Sequence, residues 1–181
     1  MGERQTLVLD TGPLSAFAQA GWLGALRGMA ERVPYRLEVT AQVRAELRAG
    51  LPGHPANQLV LKADWIVVVD EERECERRLF EKYAALLVSG RRNVGECSVL
   101  ARAKACGSIA VVDDTVARRL AETEGISYRG TLALLVETIR AGYLTLEAAS
   151  DVADHLIAVK YRLPFPPGGF AVWARQNLGL E

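Results

Sequence analysis

Hydrophobic positions divide the chain into short apolar runs that alternate with longer segments of helical periodicity. The short runs, which are typical of buried strands, lie at residues 7–9, 36–39, 65–69, 109–112 and around Tyr128. Apolar positions spaced three and four apart predict helices that begin near residue 12 and then span residues 23–31, 40–50, 72–88, 93–107, 115–124, 131–141 and 146–156. Strands that alternate with helices predict an α/β fold with a central, mostly parallel sheet.

Two of the predicted strands end in acidic residues. The run 7–9 is followed by Asp10, and the run 109–112 is followed by Asp113 and Asp114. Ligands of open parallel sheets bind outside the carboxyl ends of the strands, so acids at this edge favour a positively charged ligand. A simple turn would explain Asp10 without any ligand. One acid of the later pair is expected to cap the following helix, which leaves the other free to face the crevice.

Two glutamates on predicted helices add to these acids. Glu46 borders the apolar face that Val43 and Leu47 form, and no basic residue stands three or four positions away on its helix. A solvated helix carboxylate is the alternative interpretation. Glu96 lies three residues after Asn93, a spacing that resembles a capping box. It also stands in the first turn of a helix whose apolar stripe faces inward, which would place it at the crevice.

An α/β sheet could bring these acids to one edge, where their negative charges would conflict. Neighbouring carboxylates raise one another's pKa, whereas a divalent cation between them keeps them ionised. Oxygen ligands without Cys or His favour Mg²⁺ or Mn²⁺ over Zn²⁺. A bound metal of this kind activates water and orients a phosphate, so the acids together predict chemistry on phosphate esters.

The composition narrows the class of protein. The chain has 181 residues, half of them hydrophobic, and its 22 basic residues balance 22 acidic ones. This length predicts one domain over residues 1–181, and the zero net charge argues against bulk electrostatic binding of nucleic acid. Two basic pairs would then make the local contacts with RNA: Arg91 with Arg92 and Arg118 with Arg119.

Cysteine usage and hydropathy add two expectations. The three cysteines include no CxxC pair, so neither a disulfide framework nor a zinc site is implied, and Cys97 and Cys106 are expected to fill the core. The sequence shows no signal peptide and no apolar run long enough to span a membrane. We therefore expect a cytoplasmic protein.

Four segments, taken in their order and spacing, carry a family resemblance. They are VLDTGPLSAF at 8–17, VRAEL at 43–47, NVGECSVLARA at 93–103 and VVDDTVARRLAETEGISYRGTLALLVETIRAGYL at 111–144. Together they resemble a PIN domain of the branch with a Gly-Glu helix start, an Asp-Asp pair and a Gly-Thr helix start. The resemblance is strongest over residues 6–145, and residues 146–181 would form a C-terminal helical extension.

The resemblance implies a three-layer α/β/α PIN-like fold and a metal-dependent ribonuclease, often the toxin of a toxin–antitoxin pair. The metal ligands it implies are Asp10, Glu46, Glu96 and one of Asp113 and Asp114, of which the family spacing favours Asp114. Thr11 would orient the first acid or a metal-bound water. Glu96 stands where many relatives carry Asp, which would alter the geometry without loss of the metal, Mg²⁺ or Mn²⁺. A homodimer and a small antitoxin that covers the acidic crevice are further expectations.

Other functions fit the residues less well. A haloacid-dehalogenase-like phosphatase needs a second acid two residues after its nucleophilic Asp, and position 12 is Gly here. A response-regulator receiver would carry its acidic pair near the N-terminus. Metal-free cleavage would need a histidine pair, but His54 and His155 are each expected at the surface. A catalytically silent PIN-like binding module is the main alternative, although all four acidic positions are filled.

Overall fold

The fold is built on a parallel sheet of five strands, seen in a computed structural model that describes residues 5–33, 35–70, 73–87 and 93–178. The strands are β1 Gln5–Leu9, β2 Tyr35–Thr40, β3 Ile66–Val69, β4 Ile109–Val111 and β5 Tyr128–Arg129. Every neighbouring pair is parallel, in the order β3-β2-β1-β4-β5. The predicted α/β fold with a parallel sheet is therefore confirmed.

Ten helices lie within the described residues and flank the sheet in a three-layer α/β/α arrangement. They are α1 Thr11–Gln19, α2 Leu23–Arg32, α3 Ala41–Ala49, α4 Asn57–Leu61, α5 Glu74–Leu87, α6 Val94–Cys106, α7 Thr115–Glu124, α8 Thr131–Arg140, α9 Leu146–Ala158 and α10 Phe170–Leu178. The sequence pattern did not predict α4 and α10, because each follows a Pro- and Gly-rich segment. The sequence predicted that the helix now numbered α5 spans residues 72–88, and both of these end residues lie outside the described residues.

Strand β1 is the centre of the sheet and sets where the acidic edge lies. Leu7, Val8 and Leu9 are almost fully buried, since β1 is paired on both sides and α6 packs against it. Burial on both faces explains the unbroken apolar run that predicted this strand. Leu9 pairs with Val111 of β4, so the two strands end level with each other. The residues that follow them therefore emerge at the same edge.

Local signals at helix ends were mostly predictive. Thr40 caps α3 by accepting a hydrogen bond of 3.2 Å from the backbone N–H of Val43. Gly107 and Gly125 end α6 and α7 in the left-handed conformation that glycine adopts easily. The predicted capping box at Asn93 is wrong. That residue has a φ of 63° and its side chain donates to Leu87 O, at 3.0 Å, instead of capping α6.

A buried ion network ties α5 and α6 to the sheet. Arg102 of α6 donates to Glu38 of β2 and to Glu76 of α5, with N–O distances of 3.1 Å to each carboxylate. Both carboxylates are only 3 % exposed, and Arg36 adds a second contact of 2.8 Å to Glu38. Removing the one cation that both acids share would leave Glu76 buried without an ion-pair partner and Glu38 with only the half-exposed Arg36. No helix within the described residues is both long and apolar enough to cross a membrane.

Replacing the shared cation should therefore destabilise the fold strongly. We expect Arg102→Met to lower the free energy of unfolding by about 3–5 kcal/mol, because it leaves the buried Glu76 without a cation and removes one of the two cations of Glu38. The matched control is Arg27→Met, which breaks an exposed ion pair with Glu31 and should change the free energy of unfolding far less. Urea unfolding measures both values. Equal effects of the two substitutions would contradict this account.

Candidate active site

Asp10 lies at the carboxyl end of β1 and combines a structural role with an unused acceptor. Its Oδ2 atom accepts a hydrogen bond of 3.3 Å from the backbone N–H of Gly12, so the residue caps α1 as the turn interpretation expected. The side chain is nevertheless buried, with 7 % of its surface exposed. Its Oδ1 atom is buried without a hydrogen-bond partner among the described residues. A buried carboxylate oxygen without a partner is costly, so the cap explains only half of this side chain.

Glu46 of α3 is held at the same edge by two donors rather than by solvent. The hydroxyl of Thr11 donates to its Oε2 atom at 2.5 Å, and the backbone N–H of Gly95 donates to its Oε1 atom at 2.9 Å. The alternative of a solvated helix carboxylate is therefore wrong. Of the two roles expected of Thr11, orienting the first acid is wrong, because its hydroxyl donates to Glu46 and not to Asp10. Orienting a metal-bound water stays a prediction. Three elements, α1, α3 and α6, meet at this one carboxylate.

The beginning of α6 comes this close to Glu46 because its second residue has no side chain. A Cβ atom on Gly95 would lie 2.5 Å from Glu46 Oε2 and 3.0 Å from Oε1. A buried hydroxyl pair sets the approach: Thr40 and Ser98 are hydrogen-bonded at 2.7 Å, and Ser98 donates to Gly95 O at 2.7 Å. The N-terminal ends of α3 and α6 are thus joined directly. Glu96 follows at the next position of α6.

Asp10, Glu46 and Glu96 interact through their charges at this edge. Burial, first of all, and then the charges of Glu96 and Glu46 raise the pKa of Asp10 to about 8. Burial also raises the pKa of Glu96, and the charges of Glu46 and Asp114 add to the effect. Mutual repulsion of this kind was expected for carboxylates gathered without a cation. Four of the acids singled out in the sequence therefore contribute to one electrostatic cluster.

The Asp-Asp pair after β4 divides into two roles. Asp114 is the exposed N-cap of α7, and its Oδ1 atom accepts from the backbone N–H groups of Val116 and Ala117 at 2.8 and 2.9 Å. Asp113 turns inward and is surrounded by donors. The sequence predicted that the acid not used as a cap would be free, and this is wrong: Asp113 pairs with Arg118 and is hydrogen-bonded on both oxygens.

Two residues around Asp113 have roles that sequence reasoning missed. Thr131 donates to Asp113 through its backbone N–H, at 3.2 Å, and through its hydroxyl, at 2.5 Å. The phenol of Tyr161 also donates to Asp113. Burial and the neighbouring charge of Asp113 raise the pKa of Tyr161 well above its usual range, and the charge of Asp10 acts in the same direction. Thr131 was visible in the Gly-Thr helix start, whereas nothing local in the sequence marked Tyr161.

The side-chain oxygens of the acidic cluster suit a divalent cation chemically, although they do not surround one common point. Within the described residues, no three His, Cys, Asp or Glu side chains are close enough to hold one ion together. The cluster nevertheless offers only oxygen ligands, and Asp10 Oδ1 is buried and unpartnered. Hard oxygen donors of this type suit Mg²⁺ or Mn²⁺. A bound cation would neutralise the repulsion that raises the pKa of Asp10.

The other residues singled out in the sequence lie at varied distances from this cluster. Arg118 is engaged with Asp113 and with Val112 O, whereas Arg119 is exposed on α7. The pair Arg91 and Arg92 lies outside the described residues. Both histidines are exposed, as expected. Of the two cysteines expected in the core, Cys97 is buried and Cys106 is only half-buried.

The arrangement defines an α/β/α protein with an acidic cluster at the carboxyl edge of its sheet. A family model described as "DUF3368: PIN domain" matches residues 6–165. The chain therefore belongs to the PIN domain family, whose members are generally nucleases and typically use divalent metal ions. Neither a curated protein nor a solved structure matches the chain. The family match runs past residue 145 and includes Tyr161.

The raised pKa of Asp10 predicts an unusual pH dependence of stability in the metal-free protein. The folded state keeps a proton on Asp10 up to about pH 8, whereas the unfolded chain releases it near pH 4. The free energy of unfolding should therefore fall as the pH rises between these values, by up to about 1.4 kcal/mol per pH unit. Asp10→Asn should remove this contribution. Urea unfolding in EDTA at several pH values tests it, and identical slopes for the two proteins would refute it.

The contact between Gly95 and Glu46 gives a second prediction. Gly95→Ala should destabilise the protein by roughly 1–3 kcal/mol, because its Cβ atom would overlap the Glu46 carboxylate. Gly24→Ala is the matched control, since Gly24 is also the second residue of a helix and nothing lies within 4 Å of its added Cβ. The control should be neutral or stabilising, by up to about 1 kcal/mol.

A double-mutant cycle separates this overlap from a general effect of alanine at Gly95. In a Glu46→Ala background the carboxylate is gone, so most of the cost of Gly95→Ala should disappear. Urea unfolding of the four proteins gives the coupling energy. Additive effects would show that Gly95 is not required by its contact with Glu46.

Proposed function

We propose that this PIN domain is a Mg²⁺- or Mn²⁺-dependent endoribonuclease whose catalytic centre is the acidic cluster at the carboxyl edge of β1. One observation carries the proposal: the buried Oδ1 atom of Asp10 has no hydrogen-bond partner among the described residues, and Glu46 and Glu96 act on it with negative charge. A cation is the partner that would satisfy all three carboxylates. Family membership supports hydrolysis of nucleic acid as the chemistry.

The residues divide into ligands and positioning groups. Asp10, Glu46 and Glu96 would hold the ion, and Asp114 would complete the set, because its capping bonds occupy only Oδ1. When bound, the ion supplies a water of lowered pKa and stabilises the charge that develops on the phosphate. Asp113, although adjacent to Asp114, is assigned a positioning role. Its oxygens already accept hydrogen bonds from α8 and from the segment after α9.

The other polar groups at the edge set the protonation and orientation of the acids. The hydroxyl of Thr11 fixes one oxygen of Glu46 through a hydrogen bond, which orients the Glu46 carboxylate at the carboxyl edge of the sheet. Arg118 balances the charge of Asp113, so the excess negative charge is concentrated on the side of Asp10 and Glu96. The raised pKa of Tyr161 keeps its phenol protonated, which makes it a hydrogen-bond donor at physiological pH.

A binding module without catalysis is the second candidate. It is favoured by the absence, among the described residues, of three acidic or other metal-binding side chains close enough to hold one ion. In a binding module, the acidic side chains of the cluster would repel one another with no metal ion to neutralise them. A toxin role, with a small antitoxin covering the acidic edge and a homodimer as the assembly, extends the first candidate and rests on the family resemblance alone.

Metal-dependent cleavage of RNA tests the proposal. Purified wild type should cut single-stranded or structured RNA in Mn²⁺ and lose this activity in EDTA. Asp10→Asn should abolish cleavage while the protein stays folded, because it removes a ligand and also relieves charge repulsion. Asp151→Asn, which changes an exposed acid on α9, is the matched control and should cleave normally. Cleavage that survives EDTA, or an active Asp10→Asn protein, would exclude this mechanism.

A thermal shift distinguishes the two candidate functions. Mn²⁺ at about 100 times its dissociation constant should stabilise the wild type by about 2.7 kcal/mol, and it should leave Asp10→Asn unchanged. A wild type that Mn²⁺ does not stabilise would favour the binding module, because the acidic cluster of that module holds no ion. If Mn²⁺ shifts neither protein, the cluster is not a metal site.

A further inference from the structure

Two pockets lie at the acidic edge of the sheet, and each is lined by one of the acids singled out in the sequence. The larger, of about 660 Å³, is lined by Asp113 together with Arg118, Arg129 and Arg162 and the aromatic residues Tyr128 and Trp173. We name it the arginine pocket. The smaller, of about 290 Å³, is lined by Thr11, Glu46, Lys160 and Tyr161, among others, and we name it the lysine pocket. Each pocket therefore includes an acid of the cluster or its neighbour and at least one cation.

The segment 160–162 contributes residues to both pockets. Lys160 adopts a left-handed backbone conformation, with a φ of 66°, which is uncommon for a residue other than glycine. The turn is held by backbone hydrogen bonds from Lys160 and Tyr161 to the end of α9, at 2.8 and 2.9 Å. Tyr161 anchors the segment to Asp113 and Thr131. As a result, Lys160 lines the lysine pocket and Arg162 lines the arginine pocket.

These two cations differ from the other basic residues of the pockets. Arg118 pairs with Asp113, and Arg129 pairs with Glu137 at 3.1 Å. Lys160 and Arg162 are exposed, and neither pairs with a carboxylate in the described part of the chain. An exposed, unpaired cation on each side of an acidic centre suits a polyanion that runs across that centre.

We propose that residues 160–162 form a clamp for the backbone of a single nucleic-acid strand, with Arg162 and Lys160 binding phosphates on opposite sides of the one that is cleaved. The inference rests on the proposed nuclease function and names the contacts through which a net-neutral protein with an acidic centre holds its substrate. Tyr128 and Trp173 give the arginine pocket aromatic surface on which an unpaired base stacks. A duplex would not offer such a base, so the clamp selects single strands.

Binding and cleavage by matched variants test the clamp. The test variants are Arg162→Gln and Lys160→Gln, and the controls are Arg48→Gln and Lys62→Gln, which change exposed residues that line neither pocket. Fluorescence anisotropy with a labelled single-stranded RNA in EDTA gives affinity without cleavage. Kinetics on the same RNA in Mn²⁺ give KM and kcat. Strands of DNA of the same sequence and RNA duplexes form the comparison arms.

Each test variant should weaken binding of the single strand about 5- to 10-fold and raise KM by a similar factor, with kcat little changed. Each should also lower the salt dependence of binding, by about 0.7 in the slope of log K against log salt concentration. Arg162→Lys should retain most of the affinity, because a phosphate contact needs the charge. Single-stranded DNA should respond as RNA does, since the clamp reads the phosphodiester backbone.

The outcomes separate the clamp from the nuclease function. A wild type that cleaves, with test variants no different from the controls, would overturn the clamp and leave the nuclease intact. Binding that depends on both cations, without any metal-dependent cleavage, would support the clamp and refute the nuclease. Tighter binding of duplex than of single strand, or a wild type that neither binds nor cleaves, would overturn the clamp.

Discussion

The burial of the Asp10 carboxyl group is the constraint on which the rest of the site depends. β1 is buried on both faces and ends in this carboxylate, so the acid cannot move out into water without disturbing the centre of the sheet. Only one of its oxygens is used in capping α1. The surrounding elements add further acids, Glu46 and Glu96, rather than a basic partner. A protein that keeps such an arrangement in place of an apolar or paired one accepts a cost in stability, which a bound cation would remove.

The acidic side chains are held by different kinds of donor, some neutral and one cationic, and the kind of donor indicates the role of each acid. Glu46 is fixed by a hydroxyl and a backbone N–H, neutral donors that orient it and leave its charge uncompensated. Asp113 is fixed by the cation of Arg118 and by hydroxyl donors, so its charge is balanced within the protein. Neutral orientation suits a ligand that meets a metal ion, whereas charge balance suits a residue that positions its neighbours. Asp114, the next residue in the sequence, accepts only from two backbone N–H groups of α7 among the described residues, so the two aspartates are held differently.

The packing of α6 against the sheet holds the acidic site in place. This helix contacts β1, β2 and β4, and its far end is joined to β2 and α5 through Arg102 and its two buried carboxylates. Its near end carries Gly95 and Glu96 to the edge of the sheet. The segment after α9 reaches the same edge from the other side through Tyr161, so residues late in the chain complete a site that begins at residue 10.

Local patterns in the sequence were enough for the acids at the strand and helix ends and for most of the elements, although α4 and α10 were missed. Apolar runs such as 7–9 and helix-end signals such as Thr40, Gly107 and Gly125 depend on neighbouring residues, and the structure agrees with each. The local capping signal failed at Asn93, whose own left-handed conformation accompanies a side-chain hydrogen bond to Leu87 instead of to α6. The tertiary structure alone decided which donors reach which acid. Thr11 bonds Glu46 across 35 residues and Tyr161 bonds Asp113 across 48, and contacts between residues so distant in the chain depend on how the layers pack, which leaves no periodic trace in the sequence.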